Sequence, residues 1–76
     1  MQESKDELLQ RIGQNIQRIR LKKKLSLREL SYQCNIDNSK ISKIEGGHFN
    51  ITIGTLLEIA TALNVSTGEL LKPVKK

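Results

Sequence analysis

The sequence predicts an all-α fold of five short helices. Three observations carry this reading. Apolar residues recur along the whole chain at the three- and four-residue spacing of amphipathic helices. The stretches between these stripes supply helix caps and stops. No run alternates polar and apolar residues as a half-buried strand would. The 76 residues suffice for one domain, 1–76, with a single small core, and residues 1–4 and 72–76 are expected to be mobile ends. The hydrophobic content is 37%, nearly all aliphatic, with Tyr32 and Phe49 the only aromatics. That excludes an aromatic platform for stacking single-stranded bases.

The first helix runs from about Lys5 to Lys23, along a stripe of Leu8, Ile12, Ile16 and Ile19 widened by Leu9. Ser4-Lys5-Asp6-Glu7 opens it as a capping box, in which hydroxyl and carboxylate each satisfy a free N–H. Lys22–Lys24 suits the negative end of the helix dipole. Gly13 costs this helix about 1 kcal/mol relative to Ala, which points to close approach by a neighbour. Ser26-Leu27-Arg28-Glu29 is a second capping box, and Leu27, Leu30 and Cys34 give helix two at Leu27–Cys34. Asn35 stops it because Asn tolerates the left-handed conformation.

Asp37 caps a third helix, Asn38–Glu45, closed by Gly46-Gly47. Only Ile41 and Ile44 are apolar in it, so its core stripe is narrow and its polar face wide. Thr52 caps helix four, Ile53–Leu63, whose core stripe reads Ile53, Leu56, Leu57, Ala60 and Leu63. Asn64 stops it. Ser66-Thr67-Gly68-Glu69 is a third capping box opening a short helix with Leu70 and Leu71, and Pro73 ends the regular structure.

The net charge of +5 points to an acidic partner. The charge is also placed unevenly. Arg11, Arg18, Arg20, Lys22, Lys23, Lys24, Arg28, Lys40 and Lys43 face only Glu29 and Asp37 across residues 11–43, whereas residues 44–71 hold no Lys or Arg. The lone cysteine, Cys34, excludes an internal disulfide and lies on a buried stripe, so it reads as core. His48, the sole histidine, has no partners for a zinc site. No nucleophile–base set, paired carboxylates or glycine-rich phosphate loop is present, so neither an enzyme nor a cofactor is expected. No apolar run suggests a signal peptide or a membrane span, and a cytoplasmic protein is the expectation.

Two short helices joined by a three-residue turn, Leu27–Cys34 and Asn38–Glu45, form a helix-turn-helix unit. The second helix of such a unit enters the major groove, which is about 12 Å wide and admits one helix. It needs few apolar anchors and an outward polar face, which is the composition of Asp37–Glu45.

At these residues the chain resembles the Xre/Cro/C1-type helix-turn-helix regulators, which include phage repressors and restriction–modification controller proteins. The resemblance runs from Ile12 to about Leu70 through Ile16-x-x-Ile19-Arg20 and Leu25-Ser26-x-x-Glu29-Leu30-Ser31. It continues through Ile36, Ser39-x-Ile41-Ser42-Lys43-Ile44-Glu45-x-Gly47 and Thr55-Leu56-x-x-Ile59-Ala60-x-Ala62-Leu63-x-Val65-Ser66-x-x-Glu69-Leu70. It implies a five-helix, lambda-repressor-like DNA-binding domain acting as a transcription regulator on double-stranded DNA.

The resemblance also implies roles for individual residues. Asn38, Ser39, Lys40, Ser42 and Lys43 fall at base or groove contacts. Lys40 and Lys43 have donors for guanine O6/N7 and Asn38 for adenine, while a phosphate contact is the equal alternative for Lys40. Ser26, Arg28, His48 and Asn50 are phosphate candidates, with Gly47–Asn50 as a backbone clamp and a solvated loop histidine as the favoured alternative for His48. Arg20 and Glu45 align with an ion pair that sets the angle of the reading helix; a phosphate contact is the alternative for Arg20. Leu27 departs from the pattern, because the glutamine usual there has a polar role that leucine cannot take. A homodimer is expected, with Leu57, Leu71 and Val74 at its surface, or with Leu57 and Leu71 merely closing the core. The rival class is a protein-interaction module, such as an antitoxin with a toxin partner.

Overall fold

A computed structural model describes residues 3–73. The helices are α1 Lys5–Lys22, α2 Leu27–Cys34, α3 Asn38–Glu45, α4 Ile53–Leu63 and α5 Thr67–Leu71. Among the described residues there is no strand. The bounds of α2, α3 and α4 are those read from the sequence. α1 ends one residue sooner than expected, because Lys23 leaves the helical geometry and Lys24 takes the left-handed conformation at φ 61°. The Lys24 N–H then donates to Leu21 O at 2.9 Å and the Leu25 N–H to Arg20 O at 3.0 Å, closing the helix end.

The caps follow the sequence closely. The Ser4 hydroxyl accepts from Glu7 N–H at 3.1 Å while Glu7 Oε1 accepts from Ser4 N–H at 2.9 Å. Ser26 and Glu29 repeat the arrangement at α2. At α5 only half of the expected box forms. Ser66 Oγ accepts from Glu69 N–H, but the Glu69 carboxylate turns to the Lys72 ammonium at 2.9 Å. Asn35 and Asn64 close α2 and α4 at φ 58° and 60°.

α1 packs against α3 and α5, and α2 against α3 and α4. Their shared core holds Ile12, Ile16 and Ile19 of α1, Leu30 and Cys34 of α2, Ile36 of the turn, Ile41 and Ile44 of α3, Leu56, Ile59, Ala60 and Leu63 of α4, and Leu70 of α5. Burial of each large aliphatic side chain contributes about 1.5–3 kcal/mol. The α4 stripe differs from the expected one. Ile53 and Leu57 point outward, 80% and 57% exposed, and Ile59 fills the core instead. Both stripes satisfy helical spacing, and contact with α2 and α5 selects the second.

Gly13 lies where α1 and α3 meet. A Cβ there would stand 2.5 Å from Glu45 O and 2.8 Å from Glu45 C, so the close approach expected of this glycine is present. Asn15, unread in the sequence, is fully buried. Its Nδ2 donates to Leu70 O and Lys72 O, both at 2.8 Å, and so pins the end of α5 to α1. Val74 lies outside the described residues.

Candidate nucleic-acid interface

The proposed reading helix is held at both ends. At its N-terminus the Asp37 carboxylate accepts from the Ser39 N–H at 3.1 Å and from the Ser39 hydroxyl. These bonds, the hydroxyl's foremost, hold the Asp37 carboxyl below its ordinary pKa. At its C-terminus Glu45 is buried against Arg20. Arg20 Nε donates to Glu45 Oε2 at 2.6 Å and Nη2 to Oε1 at 3.1 Å, and Nη1 donates to Leu25 O at 2.8 Å. The two side chains are only 9% and 5% exposed. This bidentate geometry ties α1, the turn before α2 and the end of α3 together. It also directs Arg20 inward.

Between these ends Ile41 and Ile44 face the core, and the opposite side is polar. Ser39, Ser42 and Lys43 are exposed, and Asn38 and Lys40 are half-buried. The Ser39 proton is donated to Asp37, which leaves its oxygen as an acceptor. The Lys40 ammonium stands 4.9 Å from the centroid of the Phe49 ring.

The helix is followed by a tight turn. Gly46, Gly47 and His48 donate their N–H groups back to Ser42, Ile44 and Lys43. Gly47 takes φ 77° and passes so close to Gln10 that a Cβ would meet Gln10 Cγ at 2.9 Å. His48 and Asn50 are exposed beyond it. At α2, Ser26 and Arg28 are exposed, but the Ser26 and Glu29 N–H groups are used in the capping box. Only the first-turn N–H groups of Leu27 and Arg28 lack an intrahelical partner there, and the Glu29 carboxylate shares that helix end. Leu27 is half-buried and packs on the core.

Away from this face, Leu57 is exposed and Leu71 is 37% exposed. Cys34 is buried, which pushes its thiol pKa up, opposite to what a nucleophile needs. Among the described residues no group of His, Cys, Asp and Glu is placed to hold a metal, and no helix is long and apolar enough to cross a membrane. Sequence reasoning missed Asn15 and the pairing of Phe49 with Lys40. Asn15 had one legible signal, since it falls three residues after Ile12 and four before Ile19, on the buried side of α1.

A helix-turn-helix domain model matches residues 13–75. An uncharacterised HTH-type transcriptional regulator of Sinorhizobium fredii is 37% identical over 62 residues, covering 82% of this chain and 80% of that protein. Control protein C.BamHI of Bacillus amyloliquefaciens is 35% identical over 60 residues, covering 78% of this chain and 74% of its own. Among solved structures, the restriction-modification controller protein C.AhdI from Aeromonas hydrophila superposes with a TM-score of 0.79 at 32% identity, over 82% of this chain and 94% of that one. The exposed polar α3, set on a short α2 and locked to α1, thus occurs within a matched sequence and a matched fold, and the chain belongs to the helix-turn-helix family of Xre/Cro/C1-type regulators.

Proposed function

We infer that this chain is a transcription regulator that binds a specific duplex DNA site as a homodimer, in the cytoplasm and without catalysis of its own. One observation carries the reading. α3 is a polar helix, fixed by Asp37 at one end and by the Arg20–Glu45 pair at the other, with Ser39, Ser42 and Lys43 on the side away from its two isoleucines and the half-buried Asn38 and Lys40 along the edges of that side. Such a helix fits the major groove, and its donors suit the guanine and adenine edges displayed there. Arg28, His48, Asn50 and the free first-turn N–H groups of α2 flank it as phosphate contacts. Ser26 Oγ accepts from the Glu29 N–H, which leaves its hydroxyl proton to donate to a phosphate beside them.

A single reading helix covers few base pairs, whereas a twofold pair reads two half-sites one helical turn apart. Leu57, Ile53 and Leu71 are the exposed apolar side chains of α4 and α5, and they supply the surface for pairing. Leu57→Glu then yields a folded monomer in sedimentation, and its DNA affinity falls.

The test is binding to a labelled duplex, selected from a random-sequence pool, at a series of salt concentrations. A steep loss of affinity with salt is expected, because phosphate contacts release counterions. Negligible duplex binding even at low salt refutes the reading. Lys43→Ala separates the two kinds of contact: a loss of about 1–3 kcal/mol confined to one base position marks a base reader, and a uniform loss across sequences marks a phosphate contact.

A further inference from the structure

The two lysines of the reading helix are held differently. Lys43 is exposed, whereas the half-buried Lys40 has its ammonium 4.9 Å from the Phe49 ring centroid. Phe49 is itself fixed, being half-buried against the core beneath the loop. The loop that carries it is tied to α3 by the His48 N–H, which donates to Lys43 O at 2.9 Å, and to α1 by the close pass of Gly47 over Gln10. The ring is therefore a fixed platform, and the lysine is the adaptable partner.

An ammonium over an aromatic face is attracted to the ring quadrupole and keeps N–H groups directed outward. A free lysine loses rotamer entropy when it is immobilised. A lysine already resting on a ring has lost part of that before DNA arrives. We propose that Phe49 is a positioning residue for DNA recognition: its ring pre-places the Lys40 ammonium for a DNA acceptor and so couples the loop after α3 to the reading face. The inference rests on the DNA-binding reading above. It explains how residues 46–50 and α3 act as one surface, since the ring belongs to the loop and the cation to the helix.

A double-mutant cycle tests it, using wild type, Phe49→Leu, Lys40→Ala and the double variant on the duplex selected with wild-type protein. Leucine retains apolar packing against the core and removes the ring. Phe49→Leu is expected to weaken binding about two- to fivefold, from the usual strength of such a pair. In the Lys40→Ala background the same change is expected to have no effect, and Phe49→Tyr is expected to restore wild-type affinity. Proton NMR of the DNA-free protein gives an independent readout. The Lys40 Cε protons are expected upfield from ring-current shielding, and Phe49→Leu is expected to abolish the shift. Equal losses from Phe49→Leu with and without Lys40 would reduce the ring to a packing role and overturn the proposal, as would unshifted Lys40 protons in wild type. Wild-type protein that binds no duplex overturns the DNA-binding reading instead, and the two failures are distinct.

Discussion

Replacing Gly13 by Ala sets two known effects against each other. Alanine favours the interior of α1 by about 1 kcal/mol over glycine. Its methyl group, however, would enter the contact between α1 and α3. A Cβ at this position would come closest to Ile44 O and would lie 2.5 Å from Glu45 O; ordinary contact begins near 3.4 Å, so the end of α3 must retreat by more than about 0.9 Å. The obstructing atoms, Ile44 O, Glu45 O and Glu45 C, are all backbone, so no side chain can rotate away to make room. Overpacking of a filled interior costs about 1–3 kcal/mol. The retreat also stretches the Arg20–Glu45 pair, whose shorter bond is 2.6 Å. A clash with backbone that no rotamer relieves belongs in the upper part of that range, about 2–3 kcal/mol, so subtracting the propensity gain of about 1 leaves a net loss of about 1–2 kcal/mol. In a domain of this size that lowers Tm by about 4–16 °C. Thermal unfolding followed by circular dichroism at 222 nm measures it, and duplex affinity should fall in parallel because α3 has moved. A Tm equal to or above that of wild type would show that propensity wins and that the close helix contact sets nothing.

Three further outcomes follow from the same geometry. Arg20→Ala leaves the Glu45 carboxylate buried without its partner, and a loss of about 3–5 kcal/mol is expected in urea unfolding; unchanged stability would mean that the pair does not hold α1 to α3. Lys24→Gly relieves a left-handed lysine at φ 61°, a strain of about 1–2 kcal/mol, partly offset by the greater freedom of glycine in the unfolded chain; Tm should rise by a few degrees, and a fall would show that the Lys24 side chain contributes more than its backbone costs. The Asp37 carboxyl has a lowered pKa in the folded protein, chiefly because the Ser39 hydroxyl and then its N–H donate to it. Its contribution is therefore present above the ordinary carboxylate range and lost as the pH falls through the lowered folded value. Asp37→Asn should flatten this part of the acid limb of a Tm-against-pH curve, and an unaltered acid limb would remove Asp37 from it.

The caps were legible because they are local. Ser4 with Glu7, Ser26 with Glu29, and Asp37 meet N–H groups two or three residues away, so adjacency in sequence is adjacency in space. The Arg20–Glu45 geometry was not legible from spacing, since 25 residues separate the partners; only resemblance aligned them. The α4 stripe misled because helical spacing fits two overlapping faces, and only the placement of α2 and α5 chooses between them. The Ser66 box was half right because Lys72, which comes after α5, competes for the Glu69 carboxylate. The Lys40–Phe49 contact crosses a loop whose path depends on Gly47 passing over Gln10, and no periodicity encodes that.

The orientation of α3 rests on opposed devices at one end. Gly13 removes a side chain so that the α3 backbone can come close, and Arg20 reaches from the same helix to pull Glu45 in. Residues 13 and 20 are seven apart, two helical turns, and so lie on nearly the same face of α1. Either device alone would leave the angle loose. Without the glycine the backbone could not approach, and without the arginine the approach would leave a buried carboxylate uncompensated. At the other end Asp37 holds only the first turn, through bonds exposed to water. The C-terminal end is thus held by buried contacts and the N-terminal end by solvent-exposed ones. Together they keep the face carrying Ser39, Ser42 and Lys43 turned away from the core, where base edges would be met.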